Sequence, residues 1–369
     1  MATIDRSVVA GHFRDMAEHV LADLPLYRRV CAAAAEDPEV LGLVATARPM
    51  QARPVLLLAA VHDVLAGAEH PLAAWYPSVV DDPRPVGEPG SADDPWPAFR
   101  DLALSSADVA ASLATRATQT NEVNRCGVLL PAFSTVASTV DGERSLGLVE
   151  LGASAGLNLL FDRYSYDYGE DGRLDPPGRP SPVVVRVARR GPSPVPVPAS
   201  MPVVGSRIGV DLNPLDVLDP AAARWLVACV WPEQPERLER LRAAIELAKG
   251  APPELVQGDL VDDLPAVVEK VAADHELVLF ATWALTYLSR PQQEALTESL
   301  DAIGAERDLH LIYGERLEEV AGLPQAARAD RSEDDRFTAL VWLRWHDGHR
   351  TATRLGDLHP HNTTLDWCG

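Results

Sequence analysis

The sequence predicts an α/β protein whose mostly parallel sheet ends in an antiparallel hairpin and follows an α-helical segment. Three observations carry this expectation. Through the first 145 residues apolar positions recur at spacings of three and four, the mark of amphipathic helices. From Leu146 onward short apolar runs alternate with helical patterns, as in parallel α/β sheets. Between them, Leu148–Leu159 runs from an apolar strand into a turn punctuated by glycine and then into a helical start.

The helical part begins with Val8, Val9, Phe13, Met16, Val20 and Leu21 on one stripe, followed by Leu26, Val30, Cys31 and Ala34 on another. Asp37 before Pro38 is a good start for a helix over Glu39–Thr46, because Asp caps and Pro suits a first turn. Pro54–Leu65 is apolar nearly all round and predicts a buried helix. A proline-rich loop spans Asp81–Pro97, and Ser105–Leu130 reads as one long helix bent or ended at Pro131.

Strands are expected at Leu146–Leu151, Arg207–Asp211, Glu254–Gln257, Glu276–Ala281 and Leu309–Tyr313. Helices are expected at Gly156–Asp162, Pro220–Val230 continuing into Pro235–Ala248, Leu264–Ala273 and Pro291–Ile303. Asp347-Gly348 is a hairpin signal between strands at Thr338–Trp345 and Arg350–Leu355. Within residues 163–206, Tyr164, Tyr166 and Tyr168 alternate, as do Val183, Val185 and Val187, which suggests a small antiparallel flap inserted after the first strand. The expected division is a helical N-terminal cap domain over 1–145 and a sheet domain over 146–369 carrying that flap.

Composition narrows the functions. The formal net charge of −21 repels phosphate backbones, so no nucleic-acid partner is expected and small-molecule or protein substrates are favoured. No run of about 18 uncharged apolar residues occurs, and Met1–Asp23 carries charges throughout. The expectation is a soluble cytoplasmic protein with no membrane partner. The four cysteines are scattered, which suggests buried thiols rather than disulfides or zinc. Nothing in the pattern specifies an oligomeric state.

Two chemistries fit Glu150-x-Gly152-x-Ser154-x-Gly156. It resembles the first motif of class I S-adenosylmethionine methyltransferases, with Ser154 where a second glycine is common. It also matches the Gly-x-Ser-x-Gly nucleophile elbow of α/β-hydrolases. An elbow follows several earlier strands, whereas this turn follows the first; Asp259 with His346, His349, His359 or His361 would have to complete its triad. The cradle alternative gains from Asp211, which ends the second strand where a carboxylate accepts ribose hydroxyls, and from Asp259 after the third. The expected cofactor-binding residues are therefore Glu150, Gly152, Ser154, Gly156, Asn158, Asp211 and Asp259. Trp283 and Tyr287, after the fourth strand, could line the nucleoside or acceptor pocket or belong to the core.

Ahead of the sheet lies an unusually polar stretch, Thr118-Gln-Thr-Asn-Glu-Val-Asn-Arg-Cys126. If helical, it places Thr118, Asn121, Glu122 and Arg125 on one face. That face is either a solvated network or the cover of the cradle. In the second case Arg125 positions an anionic group, Glu122 acts as acceptor or base, and Asn121 stands beside them as the third catalytic candidate. His62, beside Asp63, reads as a satisfied core histidine. His359-Pro-His361 has ligand-like spacing without a third ligand, so no metal is expected.

These segments, with Tyr164–Gly169, Asp211–Asp216 and Val230–Gln234, look like the uncharacterised bacterial family 2332 of the domains of unknown function, over nearly the whole chain. That resemblance implies a shared fold and no particular reaction. The resemblance to class I methyltransferases covers roughly the last 225 residues. It implies a Rossmann-like methyltransferase sheet and S-adenosylmethionine as cofactor, and the leading expectation is a methyltransferase acting on a small molecule at oxygen. A serine hydrolase using Ser154 and a non-catalytic nucleoside-binding protein are the alternatives.

Overall fold

The computed structural model describes residues 4–140, 144–326, 338–358 and 363–368. Contacts divide the chain into two compact units, one of residues 1–120 with 218–242 and the other of 121–217 with 243–369. The segment 121–145 therefore lies with the sheet, ahead of the point where strands begin.

The first unit is helical. It contains α1 (Arg6–Asp15), α2 (Pro25–Ala34), α3 (Pro38–Val44), α4 (Pro54–Leu65), α5 (Trp96–Ser105) and α6 (Ala107–Thr115). Asp37 accepts the amide hydrogens of Glu39 and Val40, and Pro38 opens α3, as the local sequence predicts. α4 is buried nearly all round and packs against α1, α5 and α6. In the chain order that follows, α7 (Cys126–Ser138) belongs to the second unit, while α8 (Pro220–Ala228), capped by Asp219, returns to the first and packs on α4. α9 (Pro235–Gly250) crosses the division at Arg242.

The long helix expected over Ser105–Leu130 is broken. Ser106 is extended and caps α6 through its hydroxyl, α6 stops at Thr115, and residues 116–122 carry no helix before a 3-10 turn at Val123–Arg125. The cause is local competition: Thr and Asn are poor helix formers whose side chains bond elsewhere. Here the Thr118 amide donates to Gln51 and Asn121 bonds the backbone near Ala153. Pro131 does not end a helix but sits inside α7. Its missing N–H frees the Gly127 carbonyl, which accepts the Tyr168 hydroxyl at 2.8 Å instead.

The second unit is built on β1 (Leu146–Leu151), β2 (Ser165–Asp167), β3 (Arg173–Leu174), β4 (Val184–Arg186), β5 (Ala188–Arg189), β6 (Val204–Asp211), β7 (Glu254–Gln257), β8 (Glu276–Thr282), β9 (Leu309–Glu315), β10 (Thr338–His346), β11 (His349–Leu358) and β12 (Thr364–Trp367), with α10 (Leu264–Val268) and α11 (Arg290–Glu306). The main sheet runs β5-β12-β11-β10-β9-β8-β1-β6-β7. Its β9-β8-β1-β6-β7 portion is parallel, and β9 to β12 continue as an antiparallel meander. The chain moves from β1 to β6 on one side and later returns to β8 on the other, so the switch point of the sheet lies at the carboxyl end of β1.

Both faces of β1 are covered. Val149, Leu151, Leu279, Leu311 and Tyr313 share a core with Leu264 and Val267 of α10 and Leu296 and Leu300 of α11. On the opposite face the Phe133 ring of α7 meets Phe161 at 4.6 Å and Phe280 at 5.2 Å. The Asp347-Gly348 turn has φ of 50° and 72°, the left-handed pair that a two-residue hairpin requires. Among the described residues no helix is long and apolar enough to cross a membrane.

The segment after β1 also differs from expectation. The inserted flap is mixed rather than antiparallel: β2 pairs antiparallel with β3 but parallel with β4. The run Asp175-Pro-Pro-Gly-Arg-Pro-Ser-Pro182 cannot form a tight hairpin, and the loop it makes is long enough to bring β4 back in the same direction. The tyrosine stripe is core, since Tyr164, Tyr166 and Tyr168 are buried and donate to the carbonyls of Leu157, Phe161 and Gly127. The helix expected at Gly156–Asp162 is a 3-10 segment, Leu157–Arg163, entered from a left-handed Gly156.

Candidate functional site

Where β1 ends, three of five residues adopt left-handed backbone: Gly152 (φ 75°), Ser154 (53°) and Gly156 (67°). The turn is tied to the next strand, because Gly152 and Ala153 both donate to the Val210 carbonyl. A Cβ at Gly152 would lie 2.6 Å from the Ala284 Cβ, and one at Gly156 would lie 2.7 Å from Pro253. Glycine is thus required here by backbone conformation and by close approach of protein atoms. Ser154 holds the same conformation with a Cβ, a strain of about 1 kcal/mol that its neighbours must offset. Its amide donates to Asp211 Oδ2 at 2.8 Å, while Asp211 Oδ1 accepts the Asn213 amide at 2.8 Å. Asp211 therefore joins the β1 turn to the loop after β6.

Asn121 clamps the same turn from the other side, donating through Nδ2 to the Ala153 carbonyl at 3.1 Å and accepting the Leu157 amide at 3.2 Å. Glu122 is buried and accepts the Asn124 amide, and Asn124 in turn bonds both backbone groups of Arg186 in the flap. Arg125 reaches the Thr282 carbonyl at the end of β8 at 2.7 Å. The expected helical face of Thr118, Asn121, Glu122 and Arg125 does not exist, since Asn121 and Glu122 precede the 3-10 turn. Asn121 and Arg125 nevertheless meet the carboxyl edge of the sheet. Asp259 stands at the end of β7, where it accepts the amides of Val261 and Asp262; Gly258, beside it, donates to the Asp211 carbonyl.

The electrostatics are unusual for so buried a place. Glu150 accepts Asn158 Nδ2 at 2.9 Å through Oε1, and its Oε2 has no hydrogen-bond partner. Burial pushes its pKa up to about 8 against the opposing pull of Asn158 and Arg125, so it is largely a neutral acid at pH 7. Glu315, fully buried at the end of β9, accepts the Ala284 and Leu285 amides through Oε1 and leaves Oε2 without a partner. Burial pushes it up to about 7, against those amides and Arg125. Sequence reasoning missed Glu315 because the expected strand stopped at Tyr313; the available signal was an acid closing an apolar run, as Glu150 nearly closes β1.

Ser154 Oγ and the Trp283 indole N–H are also buried without partners. Four open polar atoms thus cluster at the ends of β1, β8 and β9. An unsatisfied buried polar group costs about 1–3 kcal/mol, and a concentration of them marks where a polar ligand or ordered water belongs. Asp211 keeps acceptor capacity on each oxygen beyond the amide it already holds, so the residues present fit the hydroxyls of a nucleoside. Trp283 is itself left-handed (φ 54°), with the Arg316 guanidinium 5.4 Å from its ring centroid, whereas Tyr287 is 77% exposed.

For an elbow, Ser154 Oγ would need a histidine, and it has no hydrogen-bond partner. His346 pairs with Asp308 at 2.5 Å, and it and His349 face each other across the hairpin turn, at the amino end of β9. Ser154 follows the carboxyl end of β1. His359 and His361 lie outside the described residues. Among the described residues Asp308, His346 and Asp347 form an exposed group with metal-ligand chemistry. The cysteines are free; Cys31 and Cys126 are buried as expected, Cys229 is half-buried and Cys368 is exposed.

No curated protein matches the chain. The family model described as "Uncharacterized protein conserved in bacteria (DUF2332)" matches residues 10–367, through both compact units, and the chain belongs to that family.

Proposed function

We propose that the sheet unit binds S-adenosylmethionine across the carboxyl ends of β1, β6 and β7 and methylates a small molecule, with oxygen as the acceptor atom. One observation carries this: at the switch point of the sheet, Asp211 grips the left-handed Ser154 amide beside a cluster of buried polar atoms that lack partners. Asp211 would accept the ribose hydroxyls and Asp259 would face the base. Glu150, neutral at pH 7, offers a proton as donor without placing a second negative charge beside Asp211. When bound, the cofactor supplies an electrophilic methyl group on sulfur.

The chain has little else to do than align, exclude water and take a proton. Asn121 and Asp211 hold the turn rigid, which makes Asn121 a positioning residue. Arg125 orients an anionic portion of the acceptor from the end of β8. The acceptor proton goes to Glu315, whose open oxygen and pKa near 7 suit a general base better than Glu122, already engaged with the Asn124 amide.

Calorimetric titration with S-adenosylmethionine and S-adenosylhomocysteine tests the proposal. Wild type should bind both saturably, and Asp211→Ala should weaken binding about tenfold or more, the equivalent of one or two charge-assisted hydrogen bonds. Failure of wild type to bind either compound would remove the proposal.

A further inference from the structure

The helical unit contains a cavity of its own. The cavity, of about 220 Å³, lies among α4, the turn at Ser78, α8 and the middle of α9. His62 forms one wall. Its Nδ1 lies 3.1 Å from the Ala228 carbonyl, which can only accept, so the ring proton sits there and Nε2 accepts the Ser78 hydroxyl at 2.8 Å. The imidazole is thereby satisfied and neutral. Burial pushes its pKa down to about 4, and the positive charge of Arg242 acts in the same direction.

Two arginines, Arg224 and Arg242, line the same cavity. Arg224 spends its Nε on Asp63 Oδ1 at 2.8 Å, which leaves its two terminal nitrogens. Among the described residues no carboxylate pairs with Arg242. That is notable in a chain where acidic residues outnumber basic ones by 54 to 33. Val79 and Val227 supply apolar surface beside the charges. Planar guanidinium groups match carboxylate and phosphate oxygens in pairs.

We propose that this cavity binds a small organic anion, a carboxylate or a phosphate monoester with a compact apolar body, held by Arg224 and Arg242 above His62. The site is separate from the methyl-transfer proposal and does not depend on it. Arg224 and Arg242 are the two guanidinium residues among those lining the cavity, and Asp63 pairs with the first of them.

Calorimetry of the full chain with inorganic phosphate, phenyl phosphate and benzoate, at constant ionic strength in chloride, tests it. Saturable binding of phenyl phosphate or benzoate, weakened about tenfold by Arg242→Gln, is the expected result. Preference for phenyl phosphate over benzoate identifies a phosphate ligand, and the reverse identifies a carboxylate. Arg242 is exposed and among the described residues has no ion-pair partner, so the variant should melt with wild type; Arg224→Gln provides a second removal of charge. Absence of binding by all three probes, or binding indifferent to both substitutions, overturns the proposal.

Discussion

Glu276 and Glu150 are buried carboxylates on adjacent strands, at opposite ends of one sheet, and the protein treats them in opposite ways. At the amino end Glu276 accepts His310 Nε2 at 2.9 Å and lies 3.2 Å from Arg144, while His310 takes the Trp342 indole hydrogen on its other nitrogen. Burial pushes Glu276 up, but His310 and Arg144 outweigh it and hold the carboxyl below its usual range. At the carboxyl end Glu150 has one amide partner, one open oxygen and a pKa of about 8. One end commits its polar atoms to the fold; the other keeps them available, which is where a binding site is expected.

The largest effect should come from breaking the satisfied end. Glu276→Gln removes the carboxylate that accepts His310 and faces the half-exposed Arg144, and should lower stability by about 1.5–3 kcal/mol at pH 7. Because the folded pKa is depressed, wild type gains this stability above the ordinary carboxylate pKa and loses it as pH falls through the lowered value. Urea denaturation from pH 3 to 7 should show a shallower acid loss in the variant. A variant as stable as wild type at pH 7 would erase the contrast between the two ends.

At the open end the sign reverses. A raised folded pKa gives Glu150 a contribution that is complete below about 4.5 and lost as pH rises through about 8. Glu315 adds the same trend up to about 7. Glu150→Gln should match wild type near pH 5 and exceed it at pH 9 by roughly 1–3 kcal/mol, since the amide has no proton to lose. Equal pH slopes for the two proteins would show that Glu150 is charged throughout.

The smallest change sharpens the comparison. Ser154→Ala removes a hydroxyl that bonds nothing, so stability should stay within about 0.5 kcal/mol. A loss above about 1 kcal/mol in thermal denaturation would reveal a hydrogen bond at that oxygen and reduce the number of open atoms at the carboxyl end.

Much of the scaffold was legible because its signals are local. The bounds of β1, β7 and α4 coincide with the apolar runs that announce them, and the Asp37-Pro38 start of α3 is written in two letters. The stretch Thr118–Cys126 misled because helical spacing was assumed for residues whose side chains prefer other partners. β12 escaped notice as four residues near the edge of the sheet. Asp211 could be picked out as the acid ending a strand, yet its bond to the Ser154 amide joins residues 57 positions apart and leaves no trace in either neighbourhood. Glu315 shows the same limit, since the amides it accepts belong to a loop about 30 positions earlier.

The pairing of β5 with β12 determines when the sheet can be finished. The insertion departs from the central strand, yet Ala188 and Arg190 donate to Thr363 and Leu365 at the border farthest from β7. During synthesis β5 must therefore wait for almost the whole remaining chain before it finds its partner. Such distant closure is slow, and until it occurs the outer edge of β12 has no strand beside it. Residues 363–367 thus tie an early insertion to β12, and the sheet reaches its full strand order only when both ends of that long interval of chain are in place.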